Sequence, residues 1–252
     1  MLTREDIVSE LDAMERKKGV CALYSVESGS RCWGFASADS DYDIRVVYVR
    51  PRNDYLKLEG LRDTIEWRLD DEYDVVGWDL GKFLRLMRGS NPTVFEWLGS
   101  TIVYREAADF QKVRDVALSC FDPVAHAHHY LGMAAKNIDR HIKVGNATLK
   151  RYLYAVRATL ACRWAVEEKR PVPMAFSELS EAMLEPELAP VVANMVEIKR
   201  SGLESDRQDP IPELDEWLCV QEELLREKIG TLEHPVRVEW SVLDEAFLKI
   251  VG

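Results

Sequence analysis

Gly29 and Ser30 are followed, ten residues later, by Asp41-Tyr42-Asp43 at the head of the run Ile44 to Val49, apolar apart from Arg45. Side chains alternate along a strand with period two, so Asp41 and Asp43 are expected on one face. Their like charges repel unless a cation lies between them. Paired carboxylates suit Mg²⁺, which prefers hard oxygen ligands and leaves places for substrate phosphates. Gly29-Ser30 closes the preceding apolar segment, where a turn can offer backbone N–H groups and a hydroxyl to phosphate. These residue types, in this order, are suited to handling the phosphates of a nucleotide. No Gly-Lys-Ser/Thr follows Gly29, so the pattern is not a P-loop.

Phosphoryl transfer at such a site calls for a third carboxylate, to complete the metal sphere or to take the proton of an attacking hydroxyl. Asp79, near the end of the segment Tyr73 to Leu80, is the first choice, with Asp74 and Glu66 as rivals. Asp79 could equally cap a helix starting near Gly81. Arg31 can pair with phosphate or with Asp43 through its planar fork, and Ser40 can orient a phosphate or cap the turn. Lys150, Tyr154 and Arg157 are spaced four and three apart and share one helical face, where they could form interhelical ion pairs. His126, His128 and His129 lack the i, i+4 spacing of helical zinc sites and read as surface or core histidines. Of the seven tryptophans, only Trp33 stands where it could stack on a base or ribose.

The chain has 252 residues, 47% of them apolar, and no apolar run near the ~18 residues a membrane span needs. Its N-terminus, Met1 to Asp6, is charged and lacks a signal-peptide core. Five scattered cysteines without a C-x-x-C argue against a disulfide framework or zinc knuckle, and suit a reduced cytoplasm. The net charge of −11 disfavours indiscriminate binding to nucleic acid. Between Ala134 and Arg170, however, nine basic residues meet only three acidic ones, a local excess of +6. That face fits a confined anionic ligand better than a long duplex.

The elements that must position these residues follow from periodicity. A helix is expected over 3–16, capped by Thr3, and strands over 20–26, 41–49, 64–69 and 73–80. The last two flank an acidic turn at 70–72. Helices follow over 82–88 and from Pro92, and the short run 101–104 is a strand or a connection. Beyond about residue 107 the pattern is helical: 107–120, 124–144, 147–168, 176–183, 186–201, 211–229 and 241–251. A polar loop spans 201–212. The expected class is α+β: a small mixed sheet over 1–106, then an all-helical domain over 107–252.

Gly29-Ser30-x10-Asp41-x-Asp43 resembles the signature of the DNA polymerase β-like nucleotidyltransferase superfamily. The string from Gly29 to Pro51 looks like its bacterial and phage branch, which includes proteins linked to RNA repair. The likeness extends through Gly77-Trp78-Asp79-Leu80, Ser90-Asn91-Pro92, Glu96-Trp97-Leu98 and Lys150 to Arg157, roughly the first two thirds of the chain. The resemblance implies Asp41, Asp43 and Asp79 as ligands of Mg²⁺ or Mn²⁺. It also implies Gly29, Ser30 and Lys150 on the triphosphate of an NTP, with Tyr154 and Arg157 beside Lys150. The expected reaction moves a nucleoside monophosphate from an NTP to a hydroxyl acceptor such as an RNA 3′ end, and releases pyrophosphate. The alternatives are a protein-modifying enzyme of the kind found in toxin–antitoxin pairs, and a silent nucleotide-sensing or RNA-binding module.

Overall fold

The computed structural model describes residues 2–70, 72–202 and 208–252. By its internal contacts the chain divides into two units. The first comprises 1–32, 40–121 and 236–252, and the second 33–39 with 122–235. This differs from the expected 1–106 and 107–252. The composition shift near 107 marks where strand-forming sequence ends, whereas the segments 107–121 and 236–252 pack with the sheet.

The first unit opens with α1 (Arg4–Lys18), begun by a Thr3–Asp6 capping box and ended by Gly19 in the left-handed region at φ 65°. Five strands follow: β1 (Cys21–Glu27), β2 (Tyr42–Val49), β3 (Thr64–Leu69), β4 (Tyr73–Asp79) and β5 (Val103–Glu106), with helices α2 (Gly29–Trp33) and α3 (Arg52–Tyr55) between β1 and β3. Their order in the sheet is β3-β4-β2-β1-β5. Among the described strands only β2 and β4 run parallel, with Asp43 paired to Asp74 and Tyr48 to Asp79. β1 is antiparallel to β2 and β5, and β3 is antiparallel to β4.

Period-two alternation gives each face its own core. Ile44, Val46 and Tyr48 pack with Ile7, Leu11 and Met14 of α1. Leu23, Tyr24 and Val47 pack with Phe83 and Leu84 of α4 (Leu80–Arg88) and Phe95 and Trp97 of α5 (Pro92–Leu98). The same cluster takes Val113 from α6 (Gln111–Ala117) and Leu243 from the C-terminal helix, so that helix closes the sheet's second core.

The second unit is helical. α7 (Pro123–Asn137) continues into a π-turn at Ile138–Ile142, where the sequence predicts one helix to 144. α8 (Leu149–Glu167) is buried along nearly its whole length and packs with α7, α9 (Phe176–Met183), α10 (Ala189–Ser201) and α11 (Pro212–Ile229). The C-terminal helix of the first unit is α12 (Trp240–Val251). Of the expected acidic turn and polar loop, Asp71 and residues 203–207 lie outside the described residues.

Candidate active site

Asp43 enters β2 beside the turn that ends β1. Its backbone oxygen accepts from the Ser28 amide at 2.8 Å, and its amide donates to Glu27 Oε1 at 2.8 Å. A β-carbon on Gly29 would lie 1.9 Å from Asp43 Oδ2. Gly29 also has φ +57°, so the bend needs glycine both for its backbone and for the carboxylate against it.

Asp74 is the register partner of Asp43 on the parallel strand β4. Arg45, two residues beyond Asp43 and therefore on the same face, spans the pair. Its Nη2 lies 2.7 Å from Asp43 Oδ1 and 2.8 Å from Asp74 Oδ2. Burial pushes the Asp43 carboxyl up to about 6; Arg45 opposes the shift, while Asp41 and Asp74 add to it. Asp41 itself stands exposed just before β2. One strand end thus gathers Asp41, Asp43 and Asp74 next to Gly29.

Asp79, the favoured third carboxylate, is not in this group. It sits five residues farther along β4, a separation of about 16 Å at strand rise. There its Oδ1 accepts from the Gly81 amide at 2.8 Å, capping α4, and its Oδ2 accepts from Tyr55 Oη at 2.8 Å. The capping alternative is what the structure shows. Glu66, the other rival, is an exposed residue of edge strand β3 opposite Val76. Of the three candidates, Asp74 is the one that stands beside Asp43.

Arg31 does not pair with Asp43. Its Nε donates to the Asp41 carbonyl at 3.0 Å, its Nη2 donates to the Ser40 carbonyl, and its guanidinium lies 3.7 Å from the Tyr42 ring centre. It therefore braces the residues before Asp43. Ser30 and Ser40 are both half-buried.

Lys150, Tyr154 and Arg157 belong to the helical unit, on α8. Lys150 is exposed, with its ammonium 5.6 Å from the Tyr154 ring centre. Tyr154 meets Trp33 edge-on, and the Arg157 guanidinium lies 4.1 Å from the Trp33 ring centre. At 2% exposure Arg157 is core, and Trp33 is half-buried against these partners. The shared helical face is real, but it turns from solvent toward the interior within two turns. His126 is buried, and burial lowers it to about 3, while His128 and His129 are exposed.

Two residues of the site escaped the sequence reading. Arg45 could have been found from period two after Asp43. Glu27 is a fully buried carboxylate that ends the apolar run of β1 and accepts from Tyr104 Oη at 2.5 Å. Burial raises it to about 7, against the hydrogen bonds from Tyr104 and the Asp43 amide.

No group of three His, Cys, Asp or Glu side chains among the described residues forms a ready metal cage. What the site offers is a carboxylate pair with a guanidinium nitrogen between its oxygens, and a third acid close by. Those hard oxygens fit a divalent cation whose remaining ligands come from a substrate's phosphates. Among the described residues no helix is long and apolar enough to cross a membrane.

The sequence matches the RNA repair pathway DNA polymerase beta family over residues 3–249. The chain belongs to that family, a polymerase β-like group of nucleotidyltransferases. An uncharacterized protein, YcgL of Bacillus subtilis (strain 168), is 37% identical over 250 residues, which cover 98% of this chain and 96% of that protein. The crystal structure of a nucleotidyltransferase-like protein from Exiguobacterium sibiricum 255-15 aligns at 10% identity, with 97% of this chain and 79% of that one covered. Its TM-score is 0.27, too low for the alignment to inform the site.

Proposed function

We propose that the protein is a metal-dependent nucleotidyltransferase that moves a nucleoside monophosphate from an NTP to a hydroxyl acceptor. Asp43 and Asp74, paired across parallel strands beneath Gly29, are the single observation that carries this reading. A divalent cation, Mg²⁺ or Mn²⁺, held by Asp43 and Asp74 with help from Asp41, would stabilise charge on the attacking and leaving oxygens. Asp74 takes the proton of the attacking hydroxyl as its oxygen bonds to the α-phosphorus. The bond from that phosphorus to the β-phosphate oxygen breaks, and pyrophosphate leaves. The backbone N–H groups of Gly29 and Ser30 receive the β- and γ-phosphates.

What supports an RNA 3′ end as the acceptor is the family's association with RNA repair. The basic excess between Ala134 and Arg170 is compatible with a short RNA end. All five cysteines are free thiols, which supports a cytoplasmic setting.

The test is transfer of label. The protein is incubated with each α-labelled NTP, Mg²⁺ or Mn²⁺, and either RNA or a cell lysate. Label in RNA is the expected result. Label in a protein band supports the protein-modifying reading, and nucleotide binding without any transfer supports a sensor.

A further inference from the structure

We infer that Arg45 is a built-in counter-ion of the Asp43–Asp74 pair, which a divalent cation must displace in order to bind; the inference rests on the nucleotidyl-transfer reading of this site. A single nitrogen, Nη2, lies between Asp43 Oδ1 at 2.7 Å and Asp74 Oδ2 at 2.8 Å. The other nitrogen, Nη1, is tied to the main chain, donating to the Asp74 carbonyl at 2.7 Å and the Ile44 carbonyl at 3.3 Å. The cation is thus fastened to the two strands that bear the acids, and its side chain is only 16% exposed.

A planar guanidinium holds two carboxylates at a fixed spacing, and it relieves their mutual repulsion. A dication attracts the same oxygens with twice the charge, but it must shed part of its hydration shell to reach them. Both cations need the same lone pairs on Asp43 Oδ1 and Asp74 Oδ2. Arg45 therefore sets the metal concentration at which the site fills. It is a positioning residue: it acts on the carboxylates and through them on the metal.

Binding of Mn²⁺ alone to the full chain, followed by the paramagnetic resonance signal of free Mn²⁺, tests this. Arg45→Gln should bind Mn²⁺ on the order of tenfold more tightly than wild type. Arg45→Lys, a point charge that cannot bridge both carboxylates, should fall between the two. Adding Asp43→Asn to Arg45→Gln should erase the gain. Thermal melting in EDTA shows which variants are folded; should Arg45→Gln fail to fold, Arg45→Lys decides alone. Equal or weaker Mn²⁺ binding by the folded variants, with wild-type binding abolished by Asp43→Asn, overturns the counter-ion role and leaves the metal site standing. Absence of Asp43-dependent Mn²⁺ binding in every form overturns both.

Discussion

At the scale of single residues, Gly29 is constrained both by its backbone and by the carboxylate against it. Alanine there would drive a methyl into the Asp43 carboxylate and hold a left-handed φ of +57° that only glycine adopts freely. Gly29→Ala should cost on the order of 1–3 kcal/mol in stability and lower label transfer about 100-fold, by displacing Asp43. Melting and transfer measured on one preparation check both. Asp79 should behave in the opposite way. Asp79→Ala removes a helix cap and the acceptor of the Tyr55 hydroxyl, which keeps only the Arg50 amide as its donor, so melting should show a loss of about 1–2 kcal/mol. Transfer by the folded fraction should stay within about threefold of wild type.

Among the elements, β1 and β5 hold the bend through Glu27. Its carboxyl is raised to about 7 from an ordinary value of 4.5, mainly by burial. The folded state therefore binds more protons than the unfolded chain between those values, and stability falls as pH rises through that window. The expected difference is a few kcal/mol between pH 5 and pH 8. Glu27→Gln keeps a hydrogen-bonding side chain without the charge, so its melting temperature should vary less across that range. A wild-type-like slope in the variant would remove Glu27 as its source.

The elements also show what the sequence can and cannot carry. The longer helices were legible, because local spacing and capping set them, whereas Gly29 and Ser30 open the short helix α2 where a turn was expected, and Asp41 precedes β2 instead of lying on its face. The choice between Asp74 and Asp79 was not. Both flank the same apolar segment, and only the pairing of β4 with β2, a contact between distant segments, places Asp74 opposite Asp43. Arg157 sits at a correct helical spacing but faces the interior, since periodicity gives a shared face without saying what covers it. Arg31 meets the Asp41 and Ser40 carbonyls and not the Asp43 carboxylate, a choice that spacing alone leaves open.

For the whole molecule, the sheet's second core is completed by two segments beyond residue 106. Phe110, Val113 and Ala117 enter it from beyond residue 106, and Leu243 enters it from α12. A fragment of residues 1–106 would leave that apolar face open, so it should lack a cooperative thermal transition and bind a hydrophobic dye. Cooperative melting of that fragment would show the sheet to be self-sufficient.

The carboxylate substitutions Asp74→Asn and Asp79→Asn, compared in α-labelled nucleotide transfer at equal folded concentration, probe the centre of this account most directly. Asparagine preserves the cap at position 79 and the shape at position 74, so charge is what changes. Transfer should fall at least about 100-fold in Asp74→Asn and remain near wild type in Asp79→Asn. Full activity in Asp74→Asn, with loss in Asp79→Asn, would contradict it.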